Sequence, residues 1–366
     1  MNLTIAQEDM EVLKMKNKNK APEFIQPNEL TTEQKASMKT RIISGIVAGF
    51  ISIPLLVLGD FFFFAFVLFL LCCGTYEIIH CAKRKYCVAL YIVAFILAAL
   101  MTFWPLIAAL PNMIRSDFDS SWRIFNYFSS INISIAIIAL GVLGIFAMVF
   151  IDKGFTVRDG CFIFTMILIM TLAYQAGMYI RYLPSYVLRH PGFPIDNSII
   201  VDPKLPYFNW FDNFESSALF ITAIIGTIMT DIGAYFVGVF FGKHKMLERI
   251  SPKKTWEGFV GGVVVSSMVT FGMSMALMAT GHPLVAGILD MEHWYFALIF
   301  SFLVPLASVF GDLVFSSVKR YFGIKDFSNL IPGHGGVLDR LDSVIFTLIT
   351  TGVYMYLLVY WRSFLK

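Results

Sequence analysis

Long apolar runs alternate with short polar connections along almost the whole chain. Runs of the length needed to cross a hydrocarbon core, about 17 to 25 residues each, recur near 42–59, 61–81, 88–110, 131–151, 161–180, 217–241, 257–280, 294–317 and 343–361. In a bilayer every backbone polar group must be satisfied within the segment, so such runs predict helices. The expected fold is therefore all-α: a polytopic integral membrane protein with about nine transmembrane helices and its termini on opposite sides. Residues 1–41 are polar and rich in Lys, Glu, Asn and Gln. They are expected to form a flexible tail up to an amphipathic stretch near 31–41. They lack the early apolar core of a cleaved signal peptide, so the first helix is expected to stay as a signal-anchor. The longest connection, near 181–216, carries Pro184, Pro191, Pro194, Pro203 and Pro206 and ends in Tyr207, Phe208, Trp210 and Phe211. It is expected to cap the outer side, with an aromatic belt at the interface.

Composition agrees with the pattern. The chain is 57% hydrophobic and only 14% charged, with a mean hydropathy of +0.72, whereas soluble domains carry about 25% charged residues. Charge then orients the helices, because cytoplasmic connections hold the excess of Lys and Arg. Taking connections alternately, 21 of the 28 cations fall on the side that includes the N-terminal tail. Arg115, Arg123, Arg181, Arg189, Lys204, Arg362 and Lys366 fall on the other. The N-terminus is expected in the cytoplasm. The small net charge of +3 adds little, and no nucleic acid is expected as a partner. Cys72, Cys73, Cys81, Cys87 and Cys161 show no CxxC spacing and read as packing residues.

The later helices differ from the earlier ones in containing acids and glycines, which divides the chain near residue 216. Residues 42–216 read as a transmembrane scaffold and 217–366 as the catalytic region. Asp231 falls midway along one predicted crossing and Asp312 near the cytoplasmic end of another. A carboxylate at a helix centre costs roughly 2.5 to 3.5 kcal/mol on insertion scales, so each needs a partner or a wet cavity. An interhelical ion pair is the bland explanation; metal binding or catalysis is the sharper one. Glycines at 226, 233, 238, 242, 258, 261 and 262 suit close helix packing and are compatible with a homodimer. Between these helices, Lys243, Lys253, Lys254 and Thr255 stand ahead of Trp256 and Glu257. The helix start beside them favours phosphate.

The segment from Ser317 to Ser343 is charged and glycine-bearing, and lies between two apolar runs. It contains Lys319, Arg320, Lys325 and Arg340, the acids Asp326, Asp339 and Asp342, and a turn with Gly333, His334, Gly335 and Gly336. Asp339 and Asp342 are three apart and share a face if helical. Their hard oxygens suit Mg²⁺, which takes one or two carboxylates and leaves the rest of its octahedron to phosphate and water. His334 could contact a phosphate or transfer a proton.

At these residues the chain resembles the phosphatidate cytidylyltransferase family, also called CDP-diacylglycerol synthases. The family signature is met by Ser317, Lys319, Arg320, Lys325, Asp326, Pro332, Gly333, His334, Gly335, Gly336, Asp339, Arg340 and Asp342, and the similarity extends over roughly 226–343. Arg41, Ser44, Gly45 and Glu77 are compatible with it but individually carry little weight. The resemblance implies transfer of CMP from CTP to phosphatidic acid with Mg²⁺, together with a monovalent cation such as K⁺. It implies metal coordination, direct or through a second layer, by Asp231, Asp312, Asp339 and Asp342. Phosphate contacts would come from Lys319, Arg320, Lys325 and Arg340 and from the Gly335–Gly336 backbone, with His334 near the leaving pyrophosphate. The expected setting is a bacterial cell (inner) membrane with the site facing the cytoplasm. A CTP-dependent lipid kinase is the nearest alternative and a cation-coupled transporter the next.

Overall fold

The computed structural model describes residues 32–114, 121–189, 210–331, 333 and 335–364. Nine helices are described: α1 (Thr32–Leu58), α2 (Asp60–His80), α3 (Val88–Ile114), α4 (Ser121–Ile151), α5 (Val157–Arg189), α6 (Trp210–Phe241), α7 (Trp256–Ala279), α8 (Trp294–Tyr321) and α9 (Leu338–Phe364). A two-stranded antiparallel hairpin, β1 (Lys245–Leu247) and β2 (Ser251–Thr255), joins α6 to α7. It is a small addition to the expected all-α fold.

Among the described residues six helices are long and apolar enough to cross a membrane, over Phe61–His80, Val157–Pro184, Ser217–Phe241, Trp256–Ala279, Trp294–Tyr321 and Leu338–Trp361. The chain is thus a polytopic membrane protein. Ile43–Leu58, Val88–Trp104 and Ile135–Ile151 stand where three further crossings were expected, but are shorter. The expected tail overlaps α1, which is already helical at Thr32, and the remainder of that tail lies outside the described residues. The expected outer loop shrinks from both ends. α5 continues through Pro184 to Arg189 and α6 begins at Trp210, while residues 190–209 lie outside the described residues.

The helices are held by few but specific polar contacts. Arg181, fully buried, donates from Nε to the Leu56 carbonyl and from Nη2 to the Val57 carbonyl, both at 3.0 Å. These carbonyls end α1 and have no acceptor role left inside it. At the opposite end of the bundle Thr156 and Asp159 bond reciprocally to start α5, and Asp159 takes the Arg84 guanidinium at 3.2 Å. α6 and α7 approach most closely where glycines face backbone: a Cβ at Gly258 would lie 2.8 Å from the Ala234 carbonyl, and one at Gly262 2.7 Å from the Thr230 carbonyl. The glycines therefore serve helix packing. Phe50, Phe61, Phe150, Phe240 and other large apolar side chains remain exposed, as a lipid-facing surface requires. The described cysteines are all free thiols.

Candidate active site

Two groups of charged residues form at one end of α6–α9. The first lines a cavity of about 350 Å³ between α6, the hairpin, α7 and α8, with Asp231, Asp312, Lys253, Lys254 and Thr255 on its walls. Tyr235, Val239, Met246 and Phe259 supply an apolar side. Asp312 takes the Lys254 ammonium on one oxygen and the Ser316 hydroxyl, at 3.1 Å, on the other. Asp231 is exposed and lies within electrostatic reach of Asp312, Lys254 and Arg340. Asp342, on α9, accepts from Ser343 N at 2.8 Å and lies within electrostatic reach of Asp312 and Asp231. α8 and α9 can meet there because position 311 is glycine, where a Cβ would strike the Asp342 carbonyl.

The second group is closed. Asp339, with its side chain only 2% exposed, accepts from Lys319 Nζ at 2.9 Å, Phe327 N at 2.7 Å and Gly336 N at 2.9 Å. Lys319 also lies 3.6 Å from Asp342, so one buried cation links the two groups. Glu77, on α2, accepts from Ser328 Oγ at 2.6 Å, Val337 N at 2.8 Å and Leu338 N at 2.7 Å. The 327–338 segment is thereby fastened to the first half of the chain. In sequence Glu77 carries little weight; its one signal is an acid inside an otherwise apolar helix.

Several expected roles change in this geometry. Gly335 N donates to the Ile331 carbonyl at 3.1 Å and Gly336 N to Asp339, so the phosphate role expected of these amides is corrected to one within the loop. Gly335 has φ +86°, where a side chain would be strained. Asp339 is buried and holds three donors, two backbone amides on one oxygen and Lys319 on the other, so in this geometry it braces the loop. Arg320 binds backbone, from Nε to the Ile250 carbonyl at 3.2 Å and from Nη1 to the Ile324 carbonyl at 3.3 Å, tying the last loop to the hairpin. Thr255 caps α7 by accepting from Gly258 N at 3.1 Å, while Trp256 N donates to the His244 carbonyl at 3.0 Å. Two amides of the α7 start are thus occupied, and the side chains of Lys253 and Lys254 and the Thr255 hydroxyl proton stand beside it as phosphate donors. Lys243 is exposed, on a turn whose Lys243 and His244 amides are held by Glu257. Lys325 is exposed on the loop, and His334 lies outside the described residues.

Among the described residues no group of three or more His, Cys, Asp or Glu side chains is spaced to hold a metal ion. The donor chemistry nevertheless suits Mg²⁺. Asp231 and Asp312 share one cavity, and one or two carboxylates suffice when phosphate oxygens and water complete the shell.

The chain matches the cytidylyltransferase family over residues 39–358. A phosphatidate cytidylyltransferase of Helicobacter pylori is 30% identical over 264 residues, covering 72% of this chain and 86% of that protein. One from Bacillus subtilis is 39% identical over 159 residues, covering 43% and 55% respectively. One from Mycobacterium leprae is 43% identical over 122 residues, which span only 35% of that relative and 33% of this chain. With a site of acids and lysines in the matched region, the chain is an enzyme that belongs to the cytidylyltransferase family.

Proposed function

We propose that this protein transfers CMP from CTP to phosphatidic acid, forming CDP-diacylglycerol and pyrophosphate for phospholipid biosynthesis. The observation that carries the reading is the single cavity in which Asp231 and Asp312 face Lys253, Lys254 and Thr255. Phosphatidic acid already bears an anionic phosphate oxygen. That oxygen attacks the α-phosphorus of CTP, the bond from that phosphorus to the bridging oxygen breaks, and pyrophosphate leaves with the electron pair. No strong base is required. The protein has to bring two polyanions together and align attacking and leaving oxygens.

Lys253 and Lys254 neutralise phosphate charge, and the Thr255 hydroxyl donates to a phosphate oxygen. Lys254 exchanges its Asp312 partner for substrate, which frees a carboxylate oxygen as nucleotide arrives. Asp231 and Asp312, with Asp342 behind them, would hold Mg²⁺, which when bound supplies charge neutralisation and orientation of the phosphate oxygens. Lys319 keeps Asp342 in place, and Arg320 keeps the last loop against the hairpin. The apolar wall of Tyr235, Val239, Met246 and Phe259 suits the glycerolipid end of the acceptor.

The arrangement in the cell belongs to the same proposal. The cation count supports nine crossings, a cytoplasmic N-terminus and a site at the inner face of a bacterial cell membrane. The Arg320 bond to Ile250 supports one common side for the last two charged connections. K⁺ as a second cation and a homodimer are further expectations of this reading.

Purified protein incubated with phosphatidic acid, Mg²⁺ and CTP labelled in the α-phosphate is expected to release pyrophosphate and label the lipid, and chelation should stop both. CDP release with the γ-phosphate on the lipid would indicate a lipid kinase instead. Cation flux into liposomes without CTP turnover would indicate a transporter. Either result overturns the proposal.

A further inference from the structure

Glu77 belongs to the half of the chain that the sequence marks as scaffold, yet it is 1% exposed and spends both carboxylate oxygens on the catalytic half. Val337 and Leu338 are the first free amides of α9, and a helix start favours a negative partner. Ser328 brings the descending loop to the same carboxylate. Leu338 and Asp342 are one helical turn apart, so the capped end lies directly beneath the acid that Lys319, 3.6 Å away, ties to Asp339. The contact also dictates a neighbour: a Cβ at Gly336 would lie 2.6 Å from Glu77 Oε1, and Gly336 is outside the left-handed region, so the carboxylate rather than strain excludes a side chain there.

From this arrangement we infer that Glu77 is a positioning residue for the reaction, which caps α9 from across the fold and so sets the orientation of Asp342 and the Lys319 pair. The inference rests on the proposed site. Glu77→Gln keeps the shape but turns an amide NH₂ toward donors that need an acceptor. It is expected to lower kcat by about tenfold to a hundredfold, as misplacement of supporting groups does, while KM for phosphatidic acid stays within about twofold because the apolar wall is untouched. Gly336→Ala should lose activity by a similar factor. Combining it with the shorter Glu77→Asp should restore at least about threefold over Gly336→Ala alone, the signature of two residues in direct contact.

Wild-type kcat in Glu77→Gln, or a double variant no better than Gly336→Ala, overturns the inference. Failure of the proposed function reads out differently, as wild-type protein that releases no pyrophosphate. In that event hydrogen exchange at the Val337 and Leu338 amides still decides whether Glu77 caps them: faster exchange in Glu77→Gln supports the cap and unchanged exchange removes it.

Discussion

The two acid groups at the working end of the bundle contain the same functional group in opposite conditions. Asp231 and Asp312 border open space, and the Asp312 side chain is 25% exposed. Glu77 and Asp339 are buried, with three donors each. A buried carboxylate held by backbone amides and a lysine or a serine is a structural fastener, since exchanging those donors for substrate or metal would leave buried groups unpaired. A carboxylate with unfilled positions on a cavity is available for chemistry, and an empty site pays for that availability in stability. Acidity alone does not separate the two kinds; burial together with backbone amides on the carboxylate does.

The strongest test of this difference is Asp312→Asn. Turnover should fall by about 10²–10³, the usual cost of removing a preorganised charge at a reacting phosphate, while the melting temperature in detergent holds or rises. A stable variant with wild-type turnover would move Asp312 into the fastener class. Asp339→Ala should behave the other way. Removing one partner from a buried ion pair costs about 3 kcal/mol or more, so denaturant unfolding should show a large loss whether or not substrate is present. If Asp339→Ala were as stable as the parent, its saturated hydrogen bonding would not be what holds the loop.

Thr255 sharpens the boundary, because it both caps α7 and lines the cavity. Thr255→Ala should lose about 1 kcal/mol as a cap together with affinity for CTP, whereas Thr255→Ser should retain both, as measured by melting and by KM. The smallest effect is expected at Arg84, whose side chain is 57% exposed in its pair with Asp159. Arg84→Ala should cost less than about 1 kcal/mol and leave turnover unchanged. A large catalytic effect there would show that the working end extends well beyond the two groups.

The apolar runs determined the helices and their order by themselves, because hydrophobic length is a local property that survives any packing. All nine expected places are helical. The run criterion blurs at the ends, where α1 and α4 start about ten residues early and α5 and α6 continue into the proline-bearing connection. The chemistry-bearing segments were also legible. Asp231, Asp312, Lys253 and Lys254 stand out as charges in or beside apolar runs, and the structure gathers them on one cavity.

Tertiary structure decided which of these charges is spent and which is free. Asp339 and Asp342 look alike in sequence, three residues apart, yet one is closed by the Phe327 and Gly336 amides and the other accepts from Ser343 N and lies 3.6 Å from Lys319. Gly336 reads as a phosphate-binding amide until Asp339 takes its hydrogen. Glu77 and Leu338 are 261 positions apart, and no local pattern links them. Such partnerships depend on how separate helices are brought together in space, and hydrogen-bond saturation can be counted only once they have been.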